Sequence, residues 1–170
     1  MTKLEHALAL TKRGFKVFPI APGKKAPPLL NDWPNKATSD PETIAQYWTP
    51  LPDANIGLHC NGMVVIDVDV AKGGDESLQL LEIKYGLPST LVARTPTGGR
   101  HIFFRHPFPV ANTVGALGNG LDIRSSGGYV VAVGSSVDAG EYVWDTVAPI
   151  EDAPAWLVDR LGTRSQSPRW

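Results

Sequence analysis

The pattern of apolar and polar positions predicts a mixed chain, with helices concentrated early and strands concentrated later. Apolar residues recur at helical spacing between Leu4 and Thr11, and Gly14 follows as a stop signal. Asp40-Pro41-Glu42 combines an N-cap residue, a proline at the first helical position and an acid in the first turn. The predicted helices are 4–11, 41–48, a segment that follows Gly73-Gly74 and ends at Gly86, and 154–161.

Short β-branched and aromatic runs predict the strands. These are 15–20, 55–58, 63–70, 91–94, 100–104, 121–124, 129–133 and 141–144. The glycine-containing turns 95–99 and 125–128 predict two hairpins, each joining the strands on its two sides. The sequence contains no internal repeat, and its 170 residues can bury the core of one domain. We therefore predict a single α+β domain with a mainly antiparallel later half.

The run Met63–Val70 stands out because two carboxylates interrupt an otherwise apolar, β-branched segment that is typical of a central strand. Residues i and i+2 of a strand point to the same face, so Asp67 and Asp69 are predicted to stand side by side. These like charges repel each other, and a cation between them would remove the repulsion. Oxygen-bound Mg²⁺ or Mn²⁺ suits carboxylates that have no cysteine beside them. The alternative is that one Asp caps the following turn while the other pairs with a surface Lys or Arg.

The composition limits which cellular location and which kind of metal site we expect. No apolar run approaches the ~20 residues of a membrane span, and the N-terminus lacks a secretory pattern, so we expect a cytoplasmic protein without a membrane partner. Cys60 is the only cysteine, which excludes an internal disulfide and a cysteine-rich zinc site. Because the net charge is −1, binding to nucleic acid would depend on a local basic patch or on metal ions that offset acids.

The loop 21–28 contains three prolines and a glycine, which predict irregular structure. It is not a Walker phosphate loop, because Phe18 stands where that motif requires a glycine. Its two lysines, Lys24 and Lys25, are candidates for contact with phosphate, and a simple solvated loop is the alternative.

The turn Thr97-Gly98-Gly99 leads directly into a strand that begins near His101. Two successive glycines allow a backbone to approach a ligand closely, and the N–H groups of such a turn suit an anion. His101 and Phe103 are predicted to share one face of the strand. The alternative for His101 is a structural histidine in the core or at its rim.

A third carboxylate occurs in the strand 121–124. Asp122 and Arg124 share one face, with Leu121 and Ile123 on the other. If Asp122 lay near the first two acids, the three could hold two divalent ions ~3.5–4 Å apart, as polymerases do. Arg124 would then face a triphosphate, whereas the alternative is a simple ion pair with Asp122.

Together these segments resemble the three motifs of the bifunctional primase–polymerase (Prim-Pol) domain of the archaeo-eukaryotic primase superfamily. They are Val65–Asp69, Thr97–Phe104, and Leu121–Arg124 followed by Gly127–Val131. The stretch 14–57 is also similar, so the resemblance covers about residues 4–161. It implies an α+β fold with a mainly antiparallel central sheet, a catalytic half like an RNA-recognition motif, and flanking helices. It also implies a catalytic domain over 1–162, with 163–170 as a polar tail or the start of a linker.

The resemblance implies a metal-dependent nucleotidyltransferase, a template-directed DNA primase or polymerase that replicates a plasmid, phage or similar element. Its catalytic residues would be Asp67, Asp69, Asp122 and His101. The three aspartates would bind two Mg²⁺ or Mn²⁺ ions, and His101 would contact the phosphates of the incoming nucleotide. Weaker candidates for nucleotide binding are Thr97, Gly98, Gly99, Arg100 and Arg124.

The resemblance also implies partners and leaves rival functions open. The partners are a DNA template and primer, nucleoside triphosphates and, in a longer natural chain, a helicase domain. Gly99 departs from the family pattern, in which many members have Ser. One rival function is a non-catalytic nucleic-acid or nucleotide-binding module of a larger replication protein. Another is a metal-dependent nuclease, because clustered aspartates serve hydrolysis equally well. A structural Ca²⁺ site is a third.

Overall fold

The computed structural model describes residues 1–161, so the predicted polar tail 163–170 lies outside the described residues. The elements, in chain order, are α1 (Lys3–Thr11), β1 (Val17–Ile20), α2 (Trp33–Lys36), α3 (Pro41–Trp48), β2 (Asn55–His59), β3 (Met63–Val68), α4 (Gly74–Tyr85), β4 (Val92–Arg94), β5 (Arg100–Arg105), β6 (Thr113–Val114), β7 (Leu121–Arg124), β8 (Tyr129–Val131), β9 (Ser136–Val137), β10 (Gly140–Glu141), β11 (Val143–Thr146), β12 (Glu151–Asp152) and α5 (Ala155–Leu161). This is an α+β chain with antiparallel sheets, as predicted. Within residues 1–161, no helix has the length and apolar character that crossing a membrane requires.

The chain forms two compact units, each assembled from separate segments. Within the described residues, unit 1 contains 1–59, 93–98 and 129–144, and unit 2 contains 60–92, 99–128 and 145–161.

Unit 1 is built on an antiparallel sheet with the strand order β1-β2-β8. The helix α3 has the predicted bounds because Asp40 accepts a hydrogen bond from the Thr43 backbone N–H, and Pro41 occupies the first helical position. The helix α1 begins with a capping box between Thr2 and Glu5. Both helices contact β1. The short helix α2 was not predicted from the sequence.

Unit 2 is built on an antiparallel sheet in which β3 lies between β5 and β7, so β3 is the central strand that its apolar sequence predicts. The strand β6 pairs with β7, and β12 runs parallel to β5. One face of the sheet packs against α4. That core includes Val64, Ile66, Val68, Leu78, Leu81, Ile102, Phe104, Leu121 and Ile123. Alternate residues of the three central strands therefore point to the opposite face.

Two sequence predictions about strands were wrong. The strand predicted over 63–70 ends at Val68, and Asp69 caps a 3₁₀ turn over Val70–Lys72 by accepting a hydrogen bond from the Ala71 N–H. Asp favours such turns because its short side chain reaches the backbone two residues ahead. As a result, Val70 is exposed rather than part of the apolar face.

The hairpin predicted between 121–124 and 129–133 does not form, because β7 pairs with β3 whereas β8 pairs with β2. The turn between these two strands is instead bonded to residues at the start of β3 and just before it. The Ser125 hydroxyl donates to the Met63 carbonyl at 2.6 Å, and the Gly127 N–H donates to the Asn61 side chain at 3.0 Å. A strand pattern predicts an extended segment but does not identify its neighbour.

Candidate functional site

Three ionisable side chains form a row across the sheet of unit 2. Asp67, on the central strand β3, lies directly opposite His101 on β5 and directly opposite Asp122 on β7. Residues that face each other across an antiparallel pair project to the same side, with Cβ atoms about 4.5–5.5 Å apart. The pairing register therefore brings the side chains of His101, Asp67 and Asp122 together on the face away from α4. We call them the acidic row.

A nitrogen-bearing side chain lies beside each of the two carboxylates of the row. The His101 Nε2 atom lies 3.4 Å from Asp67 Oδ1, and the His101 side chain is only 6% exposed. At the other end, Arg124 Nη2 lies 3.9 Å from Asp122 Oδ2. Like charges directly opposite in a sheet are destabilising. The Arg124 guanidinium reduces this repulsion, but it is one permanent cation beside two carboxylates, so the acids and the arginine together remain net negative.

The backbone near Gly115 also contacts the row, and the sequence reasoning missed this residue. The Gly115 N–H donates to Asp122 Oδ1 at 3.3 Å. The signal available in the sequence was the cluster of glycines between Gly115 and Gly120, since glycines mark places where a backbone comes close to another group.

Asp69 is near the row in sequence but has a different setting. Its side chain is 41% exposed, its Oδ1 caps the following turn, and its Oδ2 lies 4.0 Å from Lys72 Nζ. Its backbone N–H donates to the Gly120 carbonyl at 2.8 Å, and its carbonyl accepts from the Gly74 N–H at 2.9 Å. The cap agrees with one half of the alternative interpretation of the pair, but the lysine contact is made by the same Asp69, whereas Asp67 lies beside His101.

The glycine turn before β5 divides between the two units. Thr97 and Gly98 belong to unit 1, where the Gly98 N–H donates to the Thr95 carbonyl at 3.1 Å and Gly98 has a φ of 85°, which favours glycine. Gly99 and Arg100 belong to unit 2. Their roles in nucleotide binding remain predictions.

Arg100 does not share a face with His101. It alternates with His101 on β5 and lines a cavity of about 350 Å³ together with Glu82, Asp145 and the apolar core residue Ile102. The acidic row and the Arg100 side chain are thus on opposite sides of the sheet. Arg100 is therefore separate from the acidic row.

The donor chemistry of the row fits a hard divalent cation. Carboxylate oxygens are the ligands that Mg²⁺ and Mn²⁺ prefer, and the register brings those of Asp67 and Asp122 close to each other. Within the described part of the chain, no group of three or more His, Cys, Asp or Glu side chains is arranged to hold a metal ion. Mg²⁺ is commonly held by one or two carboxylates together with substrate phosphates and water, so a carboxylate pair is sufficient.

Comparison with known proteins agrees with the motifs. The family model described as bifunctional DNA primase/polymerase, N-terminal (Prim-Pol), matches residues 7–156. This range contains the acidic row, Asp69 and Arg124. No curated protein matches the chain.

Proposed function

The chain belongs to the bifunctional DNA primase/polymerase N-terminal (Prim-Pol) family, and from this membership we propose that it is a metal-dependent nucleotidyltransferase that extends a strand on a DNA template. The observation that carries the proposal is the acidic row, in which a histidine and two aspartates from three adjacent strands share one face. In this proposal the element that the protein replicates is a plasmid, a phage or a similar replicon.

The proposed reaction joins the 3′-hydroxyl oxygen of a primer to the α-phosphorus of a nucleoside triphosphate and releases pyrophosphate. Asp67 and Asp122 would hold Mg²⁺ or Mn²⁺, with Asp69 as a further ligand once its turn contact is released. When bound, such ions offset the charge of the phosphates and lower the pKa of the attacking hydroxyl. This accounts for paired carboxylates in a site that must accept a polyanion.

The remaining groups of the site would position the triphosphate. His101 is held in place by Asp67, and as a hydrogen-bond donor it would contact a phosphate oxygen. Arg124 would supply a fixed positive charge on the same face. Both are fixed on strands, whose geometry holds side chains more precisely than a loop.

One observation favours the non-catalytic alternative. The Asp69 carboxylate is engaged with its own turn, so the site offers two aligned carboxylates rather than three. A degenerate metal site inside a binding module would have this arrangement. The nuclease alternative uses the same carboxylates and differs only in the attacking group.

Primer extension on a labelled primer–template, with Mg²⁺ or Mn²⁺ and nucleotides, separates the three functions. We expect longer products from the wild type and none from Asp67→Asn or Asp122→Asn. Asp152→Asn is a matched control, because Asp152 is 86% exposed and its carboxylate pairs with the exposed Arg105, away from the acidic row. Shorter products would indicate a nuclease, and binding without extension would indicate a module.

A further inference from the structure

We propose that unit 1 carries a separate surface that binds a single strand of nucleic acid through its phosphates and one stacked base. This surface consists of Lys24, Lys25, Trp33 and Tyr129, and we call it the lysine–aromatic surface. The inference deepens the proposed function, since a template-directed enzyme must hold a strand as well as a nucleotide.

The two lysines stand on a loop whose shape is fixed by hydrogen bonds. The Ala21 N–H donates to the Pro27 carbonyl at 3.1 Å, which closes the base of the loop, and the Lys24 N–H donates to the Ala21 carbonyl at 3.2 Å. Two side chains of the sheet then hold the backbone of the lysines themselves. Asn55 Nδ2 donates to the Lys24 carbonyl at 2.9 Å, and the Tyr129 hydroxyl donates to the Lys25 carbonyl at 3.0 Å.

These contacts involve the lysine backbone and leave both lysine side chains exposed. Asn55 is fully buried, so its amide is committed to holding this loop and the neighbouring Ser136. A loop that is already ordered loses less conformational entropy when it binds a ligand. The arrangement therefore fixes the backbone from which both lysine side chains extend, which an ordinary solvated loop would not do.

Aromatic rings continue from the loop. The Tyr129 ring, whose hydroxyl holds the loop, lies edge to face with Trp33 at a centroid distance of 5.2 Å. Trp33 stacks on the buried Phe18 at 4.5 Å, and it also lies 5.3 Å from the His59 ring. Trp33 is thus fixed by the core while part of its surface remains exposed. A fixed, partly exposed indole is a suitable platform for a base.

Two further lysines, Lys16 and Lys36, belong to the segments around these rings. Lys36 lies in the same short helix as Trp33, and Lys16 is close enough to His59 that its charge, after the effect of burial, lowers the pKa of His59. The nearest acid in sequence is Asp32, whose carboxylate accepts a hydrogen bond from Asn35 at 3.0 Å. Ammonium groups interleaved with aromatic rings are typical of surfaces that bind single-stranded nucleic acid, because the cations contact phosphates and the rings contact base faces.

A binding experiment in EDTA tests this surface apart from any metal-dependent chemistry. The probe is a labelled oligothymidylate, and fluorescence anisotropy gives the affinity over a range of salt concentrations. For Lys24→Ala/Lys25→Ala we expect weaker binding and a slope of log K against log salt that is shallower by about 1.4, since each single-strand phosphate contact contributes about 0.7. For Trp33→Leu we expect at least about fivefold weaker binding with an unchanged slope.

Lys12→Ala/Lys84→Ala is the matched control, because it removes the same charge at two exposed lysines outside this surface, one in each unit. It should leave affinity and slope close to those of the wild type. Thermal unfolding checks that each variant is folded, and the exposed lysine variant is not expected to change stability. Equal effects of the two double variants, unchanged binding by Lys24→Ala/Lys25→Ala, or no binding by the wild type would overturn the inference. None of these results depends on whether Asp67→Asn loses extension, so the two proposals can fail separately.

Discussion

The acidic row of unit 2 and the lysine–aromatic surface of unit 1 are built in opposite ways. The row stands on three paired strands, and the backbone ladder alone determines that Asp67 faces His101 and Asp122. The lysines stand on a loop with no regular structure, and buried or aromatic side chains hold that loop from the sheet. One region fixes its chemical groups through the backbone, and the other through side chains.

This difference suggests a division of work. Strand register holds groups to within a fraction of an ångström, which proton and phosphoryl chemistry requires. A loop that carries cations tolerates small shifts, because the attraction between an ammonium group and a phosphate depends only weakly on direction. We therefore expect changes in the row to affect turnover and changes in the surface to affect affinity for the strand.

The largest expected effect is a loss of primer-extension activity when the acidic row is changed. Asp67→Asn keeps the size of the side chain but removes the central charge, so we expect kcat for primer extension to fall by at least about 100-fold. The affinity for the strand in EDTA should stay within about twofold of the wild type. Lys and Arg side chains, rather than Asp, make the phosphate contacts that determine this affinity. Steady-state extension and anisotropy measure the two quantities.

The reverse pattern is expected for Lys24→Ala/Lys25→Ala, with weaker strand binding and an unchanged kcat at saturating strand. If both variants lowered kcat and affinity together, the division between the two regions would be wrong. Asp152→Asn again serves as the variant that should change neither quantity.

The second prediction tests whether the backbone contacts next to the row, between the segments that follow β3 and precede β7, help to position it. A Cβ atom at Gly74 would lie 2.5 Å from the Gly120 carbonyl oxygen and 2.7 Å from that of Asp69, so Gly74→Ala must push apart the segments that follow β3 and precede β7. We expect a loss of about 2 kcal/mol or more in the free energy of unfolding. We also expect reduced extension with unchanged strand binding, measured on protein that is shown to be folded. Gln79→Ala, at an exposed site on the same helix, should leave stability nearly unchanged.

The two regions also differ in how far the sequence predicted them. The helix 41–48 and the central strand were predicted because a proline-containing cap and an apolar β-branched run are local signals. The sequence placed Asp67 and Asp122 on strands, yet their alignment depends on pairing between segments more than 50 residues apart along the chain. That pairing is also why the hairpin across 125–128 was wrong. The role of Asn55 and Tyr129 in holding the lysine loop had no local signal, since both act over long separations.

The third prediction concerns Arg124, for which the sequence left two interpretations open. Its guanidinium is 3.9 Å from Asp122, a distance that suits a loose ion pair, and both side chains are partly exposed. If Arg124 binds the triphosphate, Arg124→Gln should raise the KM for nucleotide about tenfold, as expected for a hydrogen bond to a charged group. The free energy of unfolding should change by less than about 1 kcal/mol. A lower stability with an unchanged KM would instead support the simple ion pair.

The smallest expected effect concerns the pH dependence of unit 1, the unit that carries the lysine–aromatic surface. Burial, and then the charge of Lys16, lower the pKa of His59, which lies in unit 1 against Trp33. The unfolded chain therefore binds the proton more readily than the folded chain does. The contribution of the neutral His59 is complete above its ordinary pKa of about 6.5 and is lost as the pH falls from there through the lowered value.

The measurement is the melting temperature of the wild type and of His59→Phe between pH 7.5 and 5. Phe has a similar shape and does not titrate. We therefore expect the melting temperature of His59→Phe to fall less over this range than that of the wild type. His6 is a second source in the same unit, because burial also lowers its pKa, and His6→Phe should remove a further part of the slope. If the wild type and both variants lost stability in parallel, the pH dependence would not come from these two histidines of unit 1, and the distinction between the two regions would rest on their activities alone.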